Sequence, residues 1–507
     1  MRFNQPVKAE QITTNYEGGK AFTTDPYTDL YIRTATQLVK TQKFYGDKDE
    51  QYNEWVSRIR ALAVKDPEFV LKLASYTRNQ LKLRTAPIIM LVETALVYKN
   101  SYSSLVSHAY DIIQRGDELA EIIAYFTATY GDVGNHKDKG SLPNSLKKII
   151  NLILASDKFN TYQLVKNDKN GATVSLRDVL RICHPKPESQ ETSEFYKRIV
   201  AKDSFPEVEM DIWEGIISKL GSSKASWEQA IKVMPIFATL RNIRNFYDND
   251  VSAELIQTHV IDKLINPEVI KKSRILPFRF YQAYKEVQGR NLAVDSALEQ
   301  ALTHSSLYNI PEFPGKTAIF VDTSGSMTST LNDKSKVQYI EIGALFGAIL
   351  FKKLGKENAL IYGYDNDVYS YSFGYNDSIF HIIKTILQQQ GGATYAYKCI
   401  EQLINKQTRV DRIVMFSDMQ SYNEGSSWNY RVGDTVQSLL NGYRLNLSPD
   451  TKYYDIDLSG YGTVQVNPHD RRNMLMAGWS EKIFDFMNIL EDKRSIQEIL
   501  ANTSSSP

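Results

Sequence analysis

The sequence predicts two architectures in series: an all-α helical-repeat region over residues 1–314, then an α/β domain with a doubly wound sheet over 315–490, followed by a polar tail over 491–507. Three observations predict this. From Asp29 to about residue 308, apolar residues recur at helical spacing and no strand-like run interrupts them. Tyr308 to Pro314 then forms a Pro-containing linker. Beyond it, short runs of β-branched and aromatic residues alternate with helical segments, the pattern of a parallel sheet covered on both faces.

The helical part reads in order as follows. Residues 1 to about 25 are extended and polar, with a turn-rich patch at Tyr16-Glu17-Gly18-Gly19-Lys20. Trp55 to Val64 places apolar residues at 55, 56, 59, 62 and 63, close to a 3.6-residue period. Asp66-Pro67 restarts a helix, with Asp66 as N-cap and Pro67 at the first helical position. Ala86 to Tyr98 is apolar all round and so packed on both sides. Tyr102 to Gln114, Glu118 to Tyr130, Asn144 to Ala155, Glu207 to Leu220, Trp227 to Val233, Ile236 to Phe246 and Ala253 to Ile265 continue the series, and Pro267 and Pro277 sit near further helix starts. Helices of this length joined by short turns suggest stacked antiparallel pairs, a degenerate solenoid; a globular all-α domain is the alternative.

Composition narrows the function. The formal net charge is +1, so any nucleic-acid surface is a local patch. Two cysteines, Cys183 and Cys399, lie in apolar surroundings and read as free buried thiols. The opening residues lack an apolar signal core, and no segment reaches the roughly 20 apolar residues of a membrane span. The expectation is a soluble, cytoplasmic monomer with no membrane partner.

One local patch stands out. Between Lys137 and Lys186 lie ten Lys or Arg against four Asp, a balance that can neutralise phosphates or simply coat a solvated helix face. His136, Lys137 and Lys139 belong to it by charge alone. A second stretch, Lys271 to Tyr281, interleaves basic and aromatic residues; it suits phosphate and base stacking, or an ordinary helix start with Phe278 and Tyr281 in the core.

In the α/β part, Thr317 to Asp322 is a buried-type strand that ends in Asp322-Thr323-Ser324-Gly325-Ser326, one carboxylate and two hydroxyls spaced D-x-S-x-S. A helix follows over about 337–353. Ala359 to Tyr364 pairs in a hairpin with Val368 to Ser372, and helices follow at Ile379 to Gln388 and Tyr395 to Asn405. Arg412 to Ser417 is a strand ending at Asp418; a helix near Thr435 to Leu440, a strand at Tyr453 to Leu458 and a helix at Glu481 to Leu490 close the domain. Oxygen donors at a strand's carboxyl end suit Mg²⁺ or Mn²⁺. D-x-S-x-S alone is a weak signal, since Asp and Ser are ordinary turn residues. No His, Cys or second carboxylate stands beside Asp322 as nucleophile or base, so the pattern does not look like an enzyme's; a metal-dependent phosphohydrolase would need both.

The combination of D-x-S-x-S, a Thr after two glycines at Thr394 and a strand-terminal Asp418 resembles the metal-ion-dependent adhesion site of the von Willebrand factor A fold. That resemblance implies that Asp322, Ser324, Ser326, Thr394 and Asp418 hold one divalent cation. Helical repeats before such a domain resemble the Ro autoantigen family, whose helical part is the TROVE module. The resemblance is carried by Tyr16-Glu17-Gly18-Gly19, Leu83-Arg84, Leu142 to Ile150, Leu176 to Pro187, Leu276-Pro277-Phe278-Arg279 and Ala477-Gly478-Trp479-Ser480. It implies HEAT-like repeats closed into a ring, an outer surface for a small non-coding stem-loop (Y) RNA, and a central hole for single-stranded 3′ ends of misfolded RNA. The protein would serve RNA quality control or turnover alongside an exoribonuclease, without being an enzyme. Lys147, Lys148, Arg177, Arg181, His184 and Lys186 match or flank the family's RNA surface. His184 could stack on a base or, more plainly, cap a helix beside Pro185. The loop 132–141 departs from the family's usual sequence. The alternative is a Mg²⁺-dependent protein-recognition module carried on the helices.

Overall fold

The computed structural model describes residues 12–478, apart from 16–19, 36–47, 82, 100–101, 132–141, 157, 168–172, 204–211, 274, 331–335, 375 and 423–434, together with Ile483, Phe484 and Met487. His136, Lys137, Lys139, most of the helix expected at 481–490 and the tail 491–507 lie outside the described residues. The chain gathers into two compact units. Among the described residues, one spans Val56–His259; the other joins those up to Trp55 with those from Val260 onward.

The chain opens with the strands β1 (Ile12–Thr14) and β2 (Lys20–Thr23) and the helix α1 (Pro26–Ala35). Then come α2 (Lys48–Lys65), α3 (Pro67–Asn79), α4 (Thr85–Val97), α5 (Tyr102–Ile112), α6 (Asp117–Tyr130) and α7 (Asn144–Leu154). They are followed by α8 (Thr161–Asn167), α9 (Leu176–Cys183), α10 (Gln190–Ala201), α11 (Trp213–Leu220), α12 (Lys224–Val233) and α13 (Ile236–Asp248). The local signals behave as expected. Asp66 Oδ1 accepts the Phe69 backbone N–H at 3.1 Å, with Pro67 as the first residue of α3. In α4 every residue from Ala86 to Ala95 is buried, as its largely apolar character predicts, and the buried Glu93 pairs with Arg60 at 2.9 Å.

A network of charges lies inside this helical unit. Arg78 pairs with Glu118 at 2.7 Å, and Glu118 also accepts the Gln114 and Arg115 backbone N–H groups at 2.8 and 3.1 Å. Arg84 adds pairs to Asp117 and Glu121. Glu118 therefore serves the amino end of α6 and ties it to α3, a role that three-residue periodicity in the sequence does not disclose.

In the other unit, β3 (Thr317–Asp322), α14 (Tyr339–Leu354), β4 (Ala359–Tyr364), β5 (Val368–Tyr371), β6 (Arg412–Ser417), β7 (Lys452–Asp457), β8 (Thr463–Val464) and β9 (Asn473–Ala477) are the main elements. Six strands form one sheet in the order β5-β4-β3-β6-β7-β9. All neighbours are parallel except β4 and β5, the hairpin expected at the edge. Phe346 of α14 meets Phe416 and Phe484, and Gly343 and Gly347 let the helix approach Val321 of β3. A Cβ on Gly347 would lie 2.9 Å from the Val321 methyl, so close packing excludes it.

The compact units divide the chain otherwise than at residue 314. β1 and β2 form a three-stranded sheet with β8, pairing Phe22 with Val464. The helices Pro277–Val287 and Leu292–Asn309 also fold with the sheet: Tyr281 and Lys285 hold the Glu341 carboxylate of α14 at 2.8 and 2.7 Å. Strand pairing across more than 400 residues leaves no periodic trace in the local sequence.

Candidate functional site

The first candidate lies at the carboxyl ends of β3 and β6. Both strands are wholly buried, so their apolar runs fix depth and register, pairing Val321 with Phe416. The next residues are thereby delivered together. Asp322 Oδ1 accepts the Ser324 backbone N–H at 3.0 Å, and Oδ2 accepts the Ser417 hydroxyl at 2.6 Å and the Tyr364 hydroxyl at 3.3 Å. Ser324 and Ser326 hydroxyl oxygens stand 3.4 Å apart. Ser326 hydrogen-bonds Asp418, whose Oδ1 also accepts the Gln420 N–H at 3.1 Å.

Thr394 arrives on a glycine loop. Gly391 and Gly392 adopt φ of +115° and +78°, which suits glycine, and Gly392 O accepts the Gly325 N–H at 3.2 Å. The Thr394 carbonyl accepts the Tyr422 N–H at 2.8 Å, linking that loop to the segment after β6. All five oxygen-bearing residues, Asp322, Ser324, Ser326, Thr394 and Asp418, are buried.

The electrostatics are one-sided. Burial raises the pKa of Asp322, opposed by hydrogen bonds from Ser324, Ser417 and Tyr364. Burial raises Asp418 further, and the charges of Asp322 and Asp457 add to it. Among the described residues no three His, Cys, Asp or Glu side chains gather as a metal cluster, so a cation here would rely on two carboxylates and hydroxyl oxygens. That donor set fits a hard divalent ion, which would offset the mutual repulsion of the two carboxylates.

Sequence reasoning missed Ser417, Tyr364 and Asp457. Ser417 directly precedes Asp418 and was within reach of a strand-end argument. Tyr364 and Asp457 end β4 and β7, and only the parallel register brings them near. Asp365 and Asp367 shape the β4–β5 turn instead: Asp365 Oδ1 accepts the Asp367 N–H and the Tyr369 hydroxyl.

The second candidate is a basic face on α7 and α9. The apolar residues of α7 (Leu146, Ile149, Ile150, Ile153) and of α9 (Leu176, Val179, Leu180, Cys183) are buried. The intervening positions are thereby turned outward: Lys148 and Arg181 are exposed, Lys147 and Arg177 half-buried. Asn151 of α7 donates to the Cys183 carbonyl at 2.9 Å, so the two helices meet at the end of α9. Ser175 and Asp178 form a capping box at its start.

His184 ends α9 in the left-handed region (φ 49°), its N–H donating to the Leu180 carbonyl. Its backbone caps the helix while its ring is exposed, as is Lys186 beyond it. Burial pushes the Cys183 thiol up to about 12 and that of the fully enclosed Cys399 well above its ordinary value; both are free. In the Lys271–Tyr281 stretch, Tyr281 is core as expected and bonds Glu341, whereas Phe278 is half-buried and Phe280 takes the core position; this favours the helix-start reading.

The TROVE domain pattern matches residues 31–208 and 206–312, more than half of the chain. This chain belongs to the TROVE-domain family. The fold is similar to that of the crystal structure of the Deinococcus radiodurans Ro (RSR) protein, with a TM-score of 0.65 and 17% identity, over 93% of this chain and 100% of that one. No curated protein sequence matches the chain. The likeness to the Ro fold bears out the helical repeats followed by a von Willebrand A-like α/β domain, and with the TROVE match it bears out the Ro family resemblance. A TROVE domain over this much of the chain supports an RNA-binding role. Among the described residues no helix is long and apolar enough to cross a membrane.

Proposed function

We propose that this protein binds a small non-coding stem-loop RNA of the Y type on the α7–α9 face, and takes single-stranded 3′ ends of misfolded RNA into the central hole of a ring. It acts in RNA quality control or turnover beside an exoribonuclease, as a cytoplasmic monomer without catalysis of its own. The observation that carries this reading is the placement of Lys147, Lys148, Arg177 and Arg181 on adjoining helices of a TROVE-family fold. Such a face holds phosphates through charge and leaves base readout to unpaired positions. Arg181→Glu with Lys186→Glu is expected to weaken binding of a Y-type stem-loop RNA at least tenfold at 0.15 M salt, and to lower the salt-dependence slope by about 2. Filter binding across salt concentrations reads both; unchanged affinity and slope would remove the assignment.

A second, compatible reading concerns the buried carboxylates. Asp322, Ser324, Ser326, Thr394 and Asp418 hold one Mg²⁺ or Mn²⁺, which would supply a positive charge for a partner's carboxylate. Ser417 and Tyr364 orient Asp322 by hydrogen bonds, and Gln420 steadies Asp418. Saturating Mg²⁺ is expected to raise the Tm by roughly 5 °C in the parent protein, and Asp418→Ala to abolish that rise. A Tm indifferent to Mg²⁺ and to chelator argues against the centre.

A further inference from the structure

A pocket of about 550 Å³ opens in the helical unit between the end of α7, the start of α8 and the start of α10. Its volume falls in the range of small-molecule sites. Phe159, Phe195 and Tyr196 supply aromatic surface, Asn160 an amide, and Glu188 and Glu191 carboxylates. Lys186, one residue past Pro185 at the end of the basic face, lines the same pocket.

The polar groups are unequally occupied. Ser189 is consumed as the N-cap of α10, its hydroxyl accepting the Thr192 N–H at 3.0 Å. Asn160 Oδ1 accepts the Gln163 N–H at 2.9 Å, which leaves its NH₂ to donate. Glu188 and Glu191 take part in no ion pair or hydrogen bond among the described residues. Burial first, and then the charge of Glu188, raise the Tyr196 phenol, and both residues line the pocket.

Charge decides what fits. Two carboxylates repel a bare phosphate, and Lys186 disfavours a cationic peptide. A neutral planar ring that offers hydrogen-bond donors, joined to a phosphate, satisfies both. Among the four bases guanine presents two adjacent donors, N1–H and the N2 amine, which match the two oxygens of one carboxylate. Its O6 and N7 accept from an amide NH₂ or a lysine. Uracil offers one donor flanked by carbonyls that a carboxylate repels.

We propose that this pocket takes the guanine base of a nucleotide, an unpaired guanosine of a bound RNA strand. Glu188 or Glu191 accepts from the N1–H and N2 edge, Asn160 donates to the opposite edge, the aromatic side chains cover the ring, and Lys186 meets the adjoining phosphate. The inference rests on the RNA-binding reading and adds a base preference to it.

The test uses the full-length protein and two probes. Calorimetry with 5′-GMP, AMP, CMP and UMP is expected to show GMP at least tenfold tighter than UMP. Fluorescence anisotropy with a heptauridylate, and with the same heptamer carrying one central G, is expected to show a similar preference. Glu188→Gln with Glu191→Gln, both at exposed positions, should erase the preference without lowering uridylate affinity, since the change only removes negative charge. Equal affinity for the four nucleotides, or a double variant that keeps the preference, overturns the proposal. Selectivity for free GMP without selectivity in the heptamer overturns the RNA source in favour of a free nucleotide. Arg181→Glu separates this pocket from the RNA face: stem-loop binding indifferent to that change, with GMP selectivity intact, defeats the face and supports the pocket, whereas the reverse pattern defeats the pocket alone.

Discussion

The strand-end centre and the basic helix face solve opposite problems. Asp322, Ser326, Thr394 and Asp418 are buried and drawn from three separated segments, and each depends on the hydrogen bonds that hold it. Lys148 on α7, Arg181 on α9 and Lys186 just past α9 are exposed, and among the described residues Lys148 is steadied only by lying over the Tyr102 ring. The difference teaches where each kind of site stores its specificity. A buried oxygen cluster is set by sheet register, and small errors in position are costly. A basic face is set by which helical positions remain after the apolar stripe is buried, and it tolerates rearrangement of individual charges.

The largest expected effect falls on buried charge rather than on either site. Arg78→Met leaves Glu118 with a weakened partner set deep in the helical unit. The expected loss is about 3–5 kcal/mol of stability by denaturant titration, with RNA affinity per folded molecule unchanged. Arg181→Glu, by contrast, should stay within about 0.5 kcal/mol of the parent in the same titration. A comparable loss in both variants would collapse the distinction between buried and exposed charge.

Next comes packing under the strand-end centre. Gly347→Ala places a methyl against Val321, on the strand that delivers Asp322. It should cost about 1–3 kcal/mol and weaken Mg²⁺-dependent stabilisation, while leaving RNA binding as it was. A loss of RNA affinity with stability intact would contradict the separation of the two regions.

The last expected effect is a pH dependence. Burial, with the charge of Asp457 behind it, pushes Asp455 up to about 8, opposed by the Gln465 backbone N–H. A carboxylic acid whose pKa is raised by folding binds its proton more tightly in the folded state. That stability is fully present below the ordinary carboxylate pKa and is lost as pH rises towards 8. Thermal melts should therefore show Tm falling between pH 5 and 8, and Asp455→Asn should flatten that fall. Parallel curves for the two proteins would place the proton elsewhere.

Much of this was legible before any coordinate. The Asp66-Pro67 helix start, the all-round burial of α4, the β4–β5 hairpin and the paired strands ending at Asp322 and Asp418 all follow from local patterns. Local chemistry also suggested both roles of His184, and the backbone now fills the capping one. The compact units cut the chain elsewhere than at residue 314, although the TROVE match ends at residue 312. The periodicity of a helix is the same whether it stacks on another helix or on a sheet, so 277–309 gave no sign of joining Glu341. Nor could the four-residue strand β2 near the amino end announce a partner at Val464.

The sequence by itself determined the element types, the outward positions of Lys148 and Arg181, and the residue kinds at the strand ends, because hydrophobic periodicity and turn chemistry act over a few residues. Only the tertiary structure decided that Tyr364 and Ser417 hold Asp322, that Glu118 answers Arg78, and that Lys186, Glu188 and Tyr196 line one pocket. Those contacts depend on distances between segments remote in the chain, which sheet register and helix packing fix and no local pattern encodes.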